Sequence, residues 1–285
     1  MHKSVLLNEI ISELDLKPGD IFVDATLGAG GHSRAVCEKF PKAKIIGFDL
    51  DEGAYKLAEE KLKGCNTEIF KTNFKNLDSF VKEPFNAILF DLGLSSMELE
   101  SSGRGFSFLR NEPLLMTFGD PKEYLFTARD IVNSWDEENI VAILKGYGEE
   151  PRAQKIARAI IERRKGKSIE TTFDLVETLS SVFPKKGRIH FATKTFQAIR
   201  IAVNDELNVI KEVLPKAFHL LKSGGKIFVI SFHSLEDRIV KRFFKEQKKN
   251  DLAKIITKKP LIATREEILE NPRARSAKLR ILEKI

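Results

Sequence analysis

The sequence predicts an α/β fold with a mostly parallel sheet, interrupted by an all-helical insertion. Up to residue 91, short apolar segments alternate with amphipathic helical segments. This rhythm is typical of βαβ units with right-handed crossovers. From residue 121 to residue 208 a helical pattern dominates and no convincing strand appears. A new apolar strand then begins at Lys226, so we expect the chain to return to the same sheet.

The first part of the chain contains four predicted strands. The segment 44–48 is a continuous apolar run, of the kind that parallel sheets bury on both faces. Helices are predicted between the strands because Pro41 and Gly64 stand where such helices end. The strands are 21–24, 44–48, 68–70 and 85–90, and the helices are 5–14, 33–40, 52–63 and 77–82.

The inserted part is predicted to be entirely helical. Its helices are 128–134, 136–145, 151–164, 172–182 and 193–203. A helix at 206–221, a turn at 222–225, a strand at 226–232, a helix at 237–249 and a final strand at 278–282 follow it. We therefore predict three segments: 1–108 and 206–285 as two parts of one domain, and 109–205 as an inserted helical domain for substrate recognition.

Charge and cysteine content limit the class of protein. The 285 residues carry a net charge of +7, and the region from Lys241 onward alone carries 14 Lys or Arg and 6 Asp or Glu, a net charge of +8. Such asymmetry favours a polyanionic partner. The chain shows no signal peptide and no long apolar segment, which predicts a cytoplasmic protein. Cys37 and Cys65 are then expected to be buried free thiols.

A glycine-rich turn follows the first strand and predicts a cofactor site. Gly28, Gly30 and Gly31 lie within four positions, where glycine lets a backbone approach a nucleotide-like ligand closely. A Rossmann-like dinucleotide fingerprint would need a glycine where Ser33 stands. Asp49, at the end of the second strand, suits the ribose of NAD and of S-adenosylmethionine equally.

Asp24 favours S-adenosylmethionine, because a carboxylate before the glycines can meet the ammonium group of a methionine moiety. Asp24 can equally be a polar residue at the strand end that only caps the turn.

Asp91 is the candidate catalytic residue. It ends the fourth strand, at the edge where open parallel sheets bind ligands. An exocyclic base amine is a poor nucleophile, and an acceptor for its N–H redirects the lone pair. The hydroxyls of Ser95 and Ser96 can orient the ring, or the serines can cap a helix. The histidines and cysteines lack metal-ligand spacing, so we expect no metal.

Two basic segments favour RNA as the partner. One runs along the predicted helix 151–164 and its exit, and the other is the C-terminal region. Phe106, Phe108 and Phe232 lie near the predicted site loops, where they can stack a splayed-out base or pack in the core.

Nine motifs follow one another in order along almost the whole chain. They are HKSVLLNE (2–9), DATLGAGGHS (24–33), DLGLSS (91–96), RGFSF (104–108), YGEE (147–150), TFQAIR (195–200), VN (203–204), SFHSLEDRIVKR (231–242) and NPRARS (271–276). In this combination the sequence resembles the RsmH (MraW) family of ribosomal small-subunit RNA cytosine-N4 methyltransferases. The resemblance implies a class I S-adenosylmethionine-dependent methyltransferase fold with an inserted helical domain. It also implies methyl transfer to N4 of a cytidine in the decoding centre of 16S rRNA.

The resemblance also implies which residues bind the cofactor. The family's contacts correspond to Gly30, Gly31, His32, Asp49, Phe74, Asp91 and Glu98. The sequence departs from the family at Glu98, where the family commonly has Gln, and at NEPLLM (111–116), where it usually has DGPLDM.

The residues and the family resemblance together predict an S-adenosylmethionine-dependent rRNA methyltransferase with Asp91 and Ser95 in the catalytic site. Its expected partner is small-subunit rRNA or the assembled small ribosomal subunit, with no membrane partner. Two alternatives are an NAD-dependent oxidoreductase, against which Ser33 argues, and a non-catalytic RNA-binding or ribosome-assembly protein. The sequence leaves a monomer and a homodimer open.

Overall fold

The structure of the protein is a computed structural model that describes residues 4–95, 98–99, 102–183 and 190–285. The chain divides into two compact units, Met1–Gly93 with Leu207–Ile285 and Leu94–Glu206. The segment 109–205, predicted as an insertion, lies inside the second unit. None of the helices in the described residues is long and apolar enough to cross a membrane.

The described strands and helices follow the alternation that the sequence predicts. The strands are β1 (Ile21–Asp24), β2 (Lys44–Asp49), β3 (Thr67–Lys71), β4 (Phe85–Asp91), β5 (Leu221–Ser231), β6 (Ala253–Ile255) and β7 (Lys278–Lys284). The helices are α1 (Leu7–Glu13), α2 (Gly31–Lys39), α3 (Glu52–Lys61), α4 (Leu77–Phe80), α5 (Ala128–Ser134), α6 (Glu137–Gly146), α7 (Ala153–Gly166), α8 (Thr172–Ser180), α9 (Thr193–Asn204), α10 (Glu206–Leu220), α11 (Ser234–Lys249) and α12 (Arg265–Glu270).

All seven strands belong to one sheet, in the order β3-β2-β1-β4-β5-β7-β6. β1 pairs in parallel with β2 and β4, β2 with β3, and β4 with β5. β7 pairs antiparallel with β5 and β6. The carboxyl ends of β2, β1 and β4 therefore meet side by side at one edge of the sheet.

The sheet is buried on both faces because its apolar residues alternate between two cores. Ile21 and Val23 of β1 pack in one apolar cluster, whereas Phe22 between them packs in another. In β4, Ile88 packs in the first of these clusters and Leu89 in the second. This period of two places successive side chains on opposite faces and explains the near-continuous apolar strands.

The second unit has a core of its own. Each of its helices from α5 to α9 contributes apolar residues that are almost completely buried, among them Ile131, Leu144, Ile156, Leu175 and Ile199. Capping residues fix where several helices begin: Asp136 accepts the N–H of Asn139 before α6, and Thr171 accepts the N–H of Asp174 before α8.

The segment 251–277 is the part that the sequence left unassigned, whereas the predicted final strand at 278–282 lies within β7. Here β6 and α12 were not predicted, because a three-residue strand and a six-residue helix carry too few periodic positions to recognise. The predicted turn at 222–225 lies within β5. The register shifts there, since Phe85 pairs with Leu221 but Ala87 pairs with Lys226.

The prediction of free thiols was wrong, because Cys37 and Cys65 form a disulfide with 5.9 Å between their Cα atoms. Cys37 lies in α2, and Cys65 lies in the turn between α3 and β3. The βαβ crossovers bring these segments together although 28 residues separate them, a proximity that cysteine counting does not reveal.

Reducing this disulfide is expected to lower the free energy of unfolding by about 3 kcal/mol, because a cross-link over 28 residues restricts the unfolded chain. Thermal unfolding with and without dithiothreitol measures the loss. The double variant Cys37→Ser/Cys65→Ser is the control and should be insensitive to reductant. Equal melting temperatures of the wild type in both conditions would contradict the expectation.

Candidate active site

The glycine turn between β1 and α2 is the centre of the candidate site. Gly28 and Gly30 have positive φ angles of 53° and 73°, which glycine adopts without strain. A Cβ on Gly30 would lie 3.4 Å from the side chain of Leu62, so the turn lies directly against the segment after α3. α2 begins at Gly31, so its first backbone N–H groups lack partners within the helix.

Asp49, at the end of β2, holds the glycine turn. Its Oδ2 accepts the N–H of Gly28 at 2.8 Å, and its Oδ1 accepts the N–H of Asp51 at 2.8 Å. Each oxygen keeps a further lone pair for another donor. Burial raises the pKa of Asp49 to about 6, against the lowering effect of these hydrogen bonds.

Asp24, at the end of β1, is completely enclosed. Its Oδ2 accepts the hydroxyl hydrogen of Ser33 at 2.7 Å, and its Oδ1 accepts the N–H of Thr26 at 3.3 Å. Ser33, which stands where a dinucleotide fingerprint has its last glycine, thus serves as a partner for Asp24. Burial raises the pKa of Asp24 to about 6.

Asp91, at the end of β4, has an oxygen that lacks a partner. Its backbone N–H donates to Thr26 Oγ1 at 2.7 Å, which ties β4 to the start of the glycine turn. Its Oδ1 is buried and makes no hydrogen bond, and its Oδ2 lies 3.8 Å from His32 Nδ1. Burial raises the pKa of Asp91 to about 6, although the nearby His32 opposes the rise.

Three carboxylates therefore meet where the sequence predicts them, at the carboxyl ends of three neighbouring strands. Among the described residues, His32 is the one basic side chain with a nitrogen within 4 Å of any of these oxygens. Burying carboxylates costs free energy, which is why their pKa values rise. Such a site favours a ligand that brings positive charge and hydrogen-bond donors.

Phe74 and Phe232 lie near this edge of the first unit. Phe74 begins a turn of 3₁₀ helix after β3, and its ring contacts Phe90 edge-on with 5.8 Å between ring centroids. A Cβ on Gly93 would lie 3.1 Å from the ring of Phe232, so this glycine leaves room for that ring.

Ser95 and Glu98 belong to the second unit and bond to each other. The Ser95 N–H donates to Glu98 Oε2 at 2.6 Å, and the Glu98 N–H donates to Ser95 Oγ at 3.1 Å. This is the reciprocal arrangement of a capping box, readable from the S-x-x-E spacing. Ser96 lies outside the described residues.

The two phenylalanines proposed as base-stacking residues differ in exposure. Phe106 is buried in the core of the second unit and stacks on Phe118. Phe108 is partly exposed, and its ring stacks on His190 with 4.4 Å between centroids.

Sequence reasoning missed the residues that position the carboxylates. Thr26 holds both Asp24 and Asp91, and its place between Asp24 and the glycines was a readable signal. Val5 binds the ring of His32 through its carbonyl oxygen, with 3.0 Å between Val5 O and Nε2. No sequence signal marks that contact, since any residue offers a carbonyl.

The sheet order, with β7 antiparallel between β5 and β6 and a glycine turn after β1, defines a class I methyltransferase fold. The chain belongs to the MraW methylase family, whose model matches residues 1–285. The resemblance that the motifs indicated is therefore confirmed.

Similar proteins cover the whole chain. The Ribosomal RNA small subunit methyltransferase H of Dictyoglomus thermophilum is 48% identical over 292 residues, covering 100% of this chain and 97% of that protein. The protein of the same name from Clostridioides difficile is 42% identical over 309 residues, covering 100% of this chain and 99% of that protein. A solved rRNA methylase from Streptococcus thermophilus is 15% identical with a TM-score of 0.47, covering 98% of this chain and 92% of that one.

Proposed function

We propose that this protein transfers a methyl group from S-adenosylmethionine to N4 of a cytidine in the decoding centre of small-subunit rRNA, in the cytoplasm. Family membership and the names of the relatives support the reaction class and the rRNA substrate. The single observation that carries the proposal is Asp91 beside the glycine turn, with a buried Oδ1 that no described residue binds.

The residues at the edge of the sheet fit S-adenosylmethionine. The carboxylate of Asp49 has lone pairs left for the ribose hydroxyls. Gly30 lets the backbone approach the methionine end, and the N–H groups at Gly31 and His32 can donate to it. Asp24 and Asp91 add negative charge that suits the ammonium and sulfonium groups. The further contacts of Phe74 with the adenine and of Glu98 with the cofactor remain part of this proposal.

When bound, the cofactor supplies an electrophilic methyl group on a sulfonium. The protein has to hold the amine about 3–3.5 Å from that carbon and in line with the carbon–sulfur bond. Asp91 accepts a hydrogen of the amine, which localises the nitrogen lone pair for attack. Ser95 orients the cytosine ring in the proposed complex. Positioning and one hydrogen-bond acceptor account for the protein's part of the chemistry.

The affinity for S-adenosylmethionine is expected to rise with pH between pH 5 and pH 7. Asp24, Asp49 and Asp91, with pKa values raised to about 6, are protonated below this value and ionised above it. A cationic ligand favours the ionised form, so its dissociation constant should rise by roughly tenfold per pH unit below pH 6 for each proton released. Equilibrium dialysis measures this. S-adenosylhomocysteine, which lacks the sulfonium charge, should show a weaker dependence, and equal affinity at pH 5 and pH 7 would contradict the prediction.

The exposed face of α11 is the surface that best fits RNA phosphates in the first unit. Its opposite face is buried through Leu235, Val240 and Phe244. Five exposed cations of α11 form no ion pair in the part of the chain that the structure describes. They are Lys241, Arg242, Lys245, Lys248 and Lys249. Unpaired cations along one helix face release counterions when they bind a polyanion.

Reversing the charge at two of these positions, with Lys245→Glu/Lys248→Glu, is expected to weaken binding to a small-subunit rRNA fragment by tenfold or more. The slope of log K against log salt should fall by about 0.7–0.9 for each phosphate that the variant no longer neutralises. The matched control is Lys56→Glu/Lys63→Glu, because these side chains are 69% and 72% exposed and lie elsewhere in the same unit. Equal weakening by both pairs would contradict a specific role for α11.

The function itself is tested by methyl transfer from tritiated S-adenosylmethionine to small ribosomal subunits that lack the modification, followed by nucleoside analysis. The proposal predicts labelled N4-methylcytidine. Label in another nucleoside would refute the N4 assignment, and label only with naked rRNA would exclude the assembled subunit as substrate. Binding of RNA without retention of the cofactor would favour a non-catalytic assembly protein, and retention of NAD would favour an oxidoreductase.

A further inference from the structure

The proposed reaction releases one proton, and the structure points to where it goes. A carbon–nitrogen bond forms as the carbon–sulfur bond breaks, the electron pair of that bond passes to sulfur, and the amine loses a proton. Asp91 is the acceptor in the proposed function, on which this inference rests. The Oδ1 atom of Asp91 is buried, so a second group that shares this proton restores the carboxylate.

The hydrogen bond of the His32 ring to a backbone carbonyl determines which ring nitrogen carries the hydrogen. Its Nε2 lies 3.0 Å from the carbonyl oxygen of Val5, and the residue is only 5% exposed. A carbonyl oxygen only accepts hydrogen bonds, so Nε2 carries the hydrogen in both the neutral and the charged ring. Nδ1 is therefore the position at which a proton is gained or lost.

Nδ1 faces Asp91, with 3.8 Å between Nδ1 and Oδ2. In the neutral ring this nitrogen presents a lone pair towards a carboxylate oxygen, and a proton between them makes the contact favourable. The two groups can thus share one proton once the contact shortens to hydrogen-bond distance, as catalytic contacts of ligand-free sites do when the ligand binds.

The other charged groups around Asp91 are carboxylates, so among its described charged neighbours His32 is the one that favours its ionised form. Asp24 from β1 and Glu236 from α11 both disfavour an ionised Asp91, whereas His32 from α2 favours it. Glu236 is itself fixed, because its Oε2 accepts the N–H groups of Phe232 and His233. Of the described groups that act on Asp91, His32 is the one that can take up a proton and become positively charged.

We propose that His32 is the proton partner of Asp91: locked by the Val5 carbonyl, it receives at Nδ1 the proton that Asp91 takes from the substrate amine. His32 acts through Asp91 and does not touch the reacting nitrogen, so it is a positioning residue. Its imidazolium then loses the proton to water when the product leaves.

The first test uses the ligand-free protein and does not depend on the substrate. With ¹⁵N-labelled histidine, NMR should show His32 with a hydrogen on Nε2 and none on Nδ1 at high pH. The pKa of the Asp91 carboxyl, followed by carboxyl ¹³C NMR, should rise in His32→Gln, because the imidazolium no longer favours the ionised carboxylate. A hydrogen on Nδ1 at high pH, or an unchanged pKa of Asp91 in His32→Gln, would overturn the proposal.

The second test is single-turnover methyl transfer by His32→Gln at saturating S-adenosylmethionine. Glutamine can still donate to the Val5 carbonyl but takes up no proton. We expect a rate lower by on the order of tenfold, with the acid limb of the pH profile moved to higher pH. We also expect no additional loss when Asp91→Asn and His32→Gln are combined, because both act on one proton.

A purely structural role of His32 gives a different result. The variant His32→Gln would then keep the wild-type pH profile, or saturating cofactor would restore its rate in full. Failure of the proposed function itself is distinguishable: the wild type would not methylate rRNA, while the coupling between His32 and Asp91 would persist in the NMR titration.

Discussion

Replacing Asp91 with alanine is expected to lower the rate of methyl transfer by about 100-fold to 1,000-fold, because the amine loses the acceptor that localises its lone pair. The carboxylate lies at the end of β4 with Oδ1 unpartnered, so its removal breaks no hydrogen bond to a side chain in the described residues. The backbone N–H of Asp91 still donates to Thr26. Single-turnover transfer at saturating cofactor measures the chemical step.

The isosteric variant Asp91→Asn is the companion of this experiment. It keeps the shape of the side chain and one acceptor oxygen but removes the negative charge. We therefore expect its rate of methyl transfer to lie between that of the alanine variant and that of the wild type. Equilibrium dialysis of each variant with S-adenosylmethionine separates cofactor binding from chemistry. Near wild-type turnover of Asp91→Ala with unchanged cofactor binding would show that another group accepts the hydrogen.

The positions of the carboxylates could be predicted from the sequence, because strand ends are readable in an alternating α/β chain. Asp24, Asp49 and Asp91 each end an apolar run, and parallel strands bring such ends to one edge. The register β1 with β2 and β1 with β4 then makes them neighbours.

The contacts that position these groups could not be predicted, because they join residues distant in sequence through generic atoms. Gly28 donates its backbone N–H to Asp49, and Val5 offers its carbonyl to His32. Sequence reasoning treated Ser33 only as a missing glycine, although its hydroxyl binds Asp24. The S-x-x-E spacing of Ser95 is a local signal of its partner, as is the place of Thr26 between Asp24 and the glycines.

Replacing Arg200 with methionine is expected to lower the free energy of unfolding of the second unit by about 3–5 kcal/mol. Arg200 donates to both carboxylate oxygens of Glu206, at 2.7 and 2.8 Å, and the two side chains are only 11% and 8% exposed. Methionine leaves the Glu206 carboxylate without this partner. Urea unfolding followed by tryptophan fluorescence reports on this unit, since Trp135 is the only tryptophan of the chain and lies within it.

Two matched variants decide whether burial or charge pairing is responsible. Arg158 pairs with Glu137 in the same unit but is 71% exposed, so Arg158→Met should cost no more than about 1 kcal/mol. The double variant Arg200→Met/Glu206→Met removes both charges and should recover much of the lost free energy of unfolding. The reason is that the cost of Arg200→Met alone lies in the unpaired buried charge of Glu206. Equal losses in Arg200→Met and Arg158→Met would contradict this expectation. Recovery in the double variant would identify the TFQAIR motif, which Arg200 ends, as a structural element of the helical unit whose arginine neutralises Glu206.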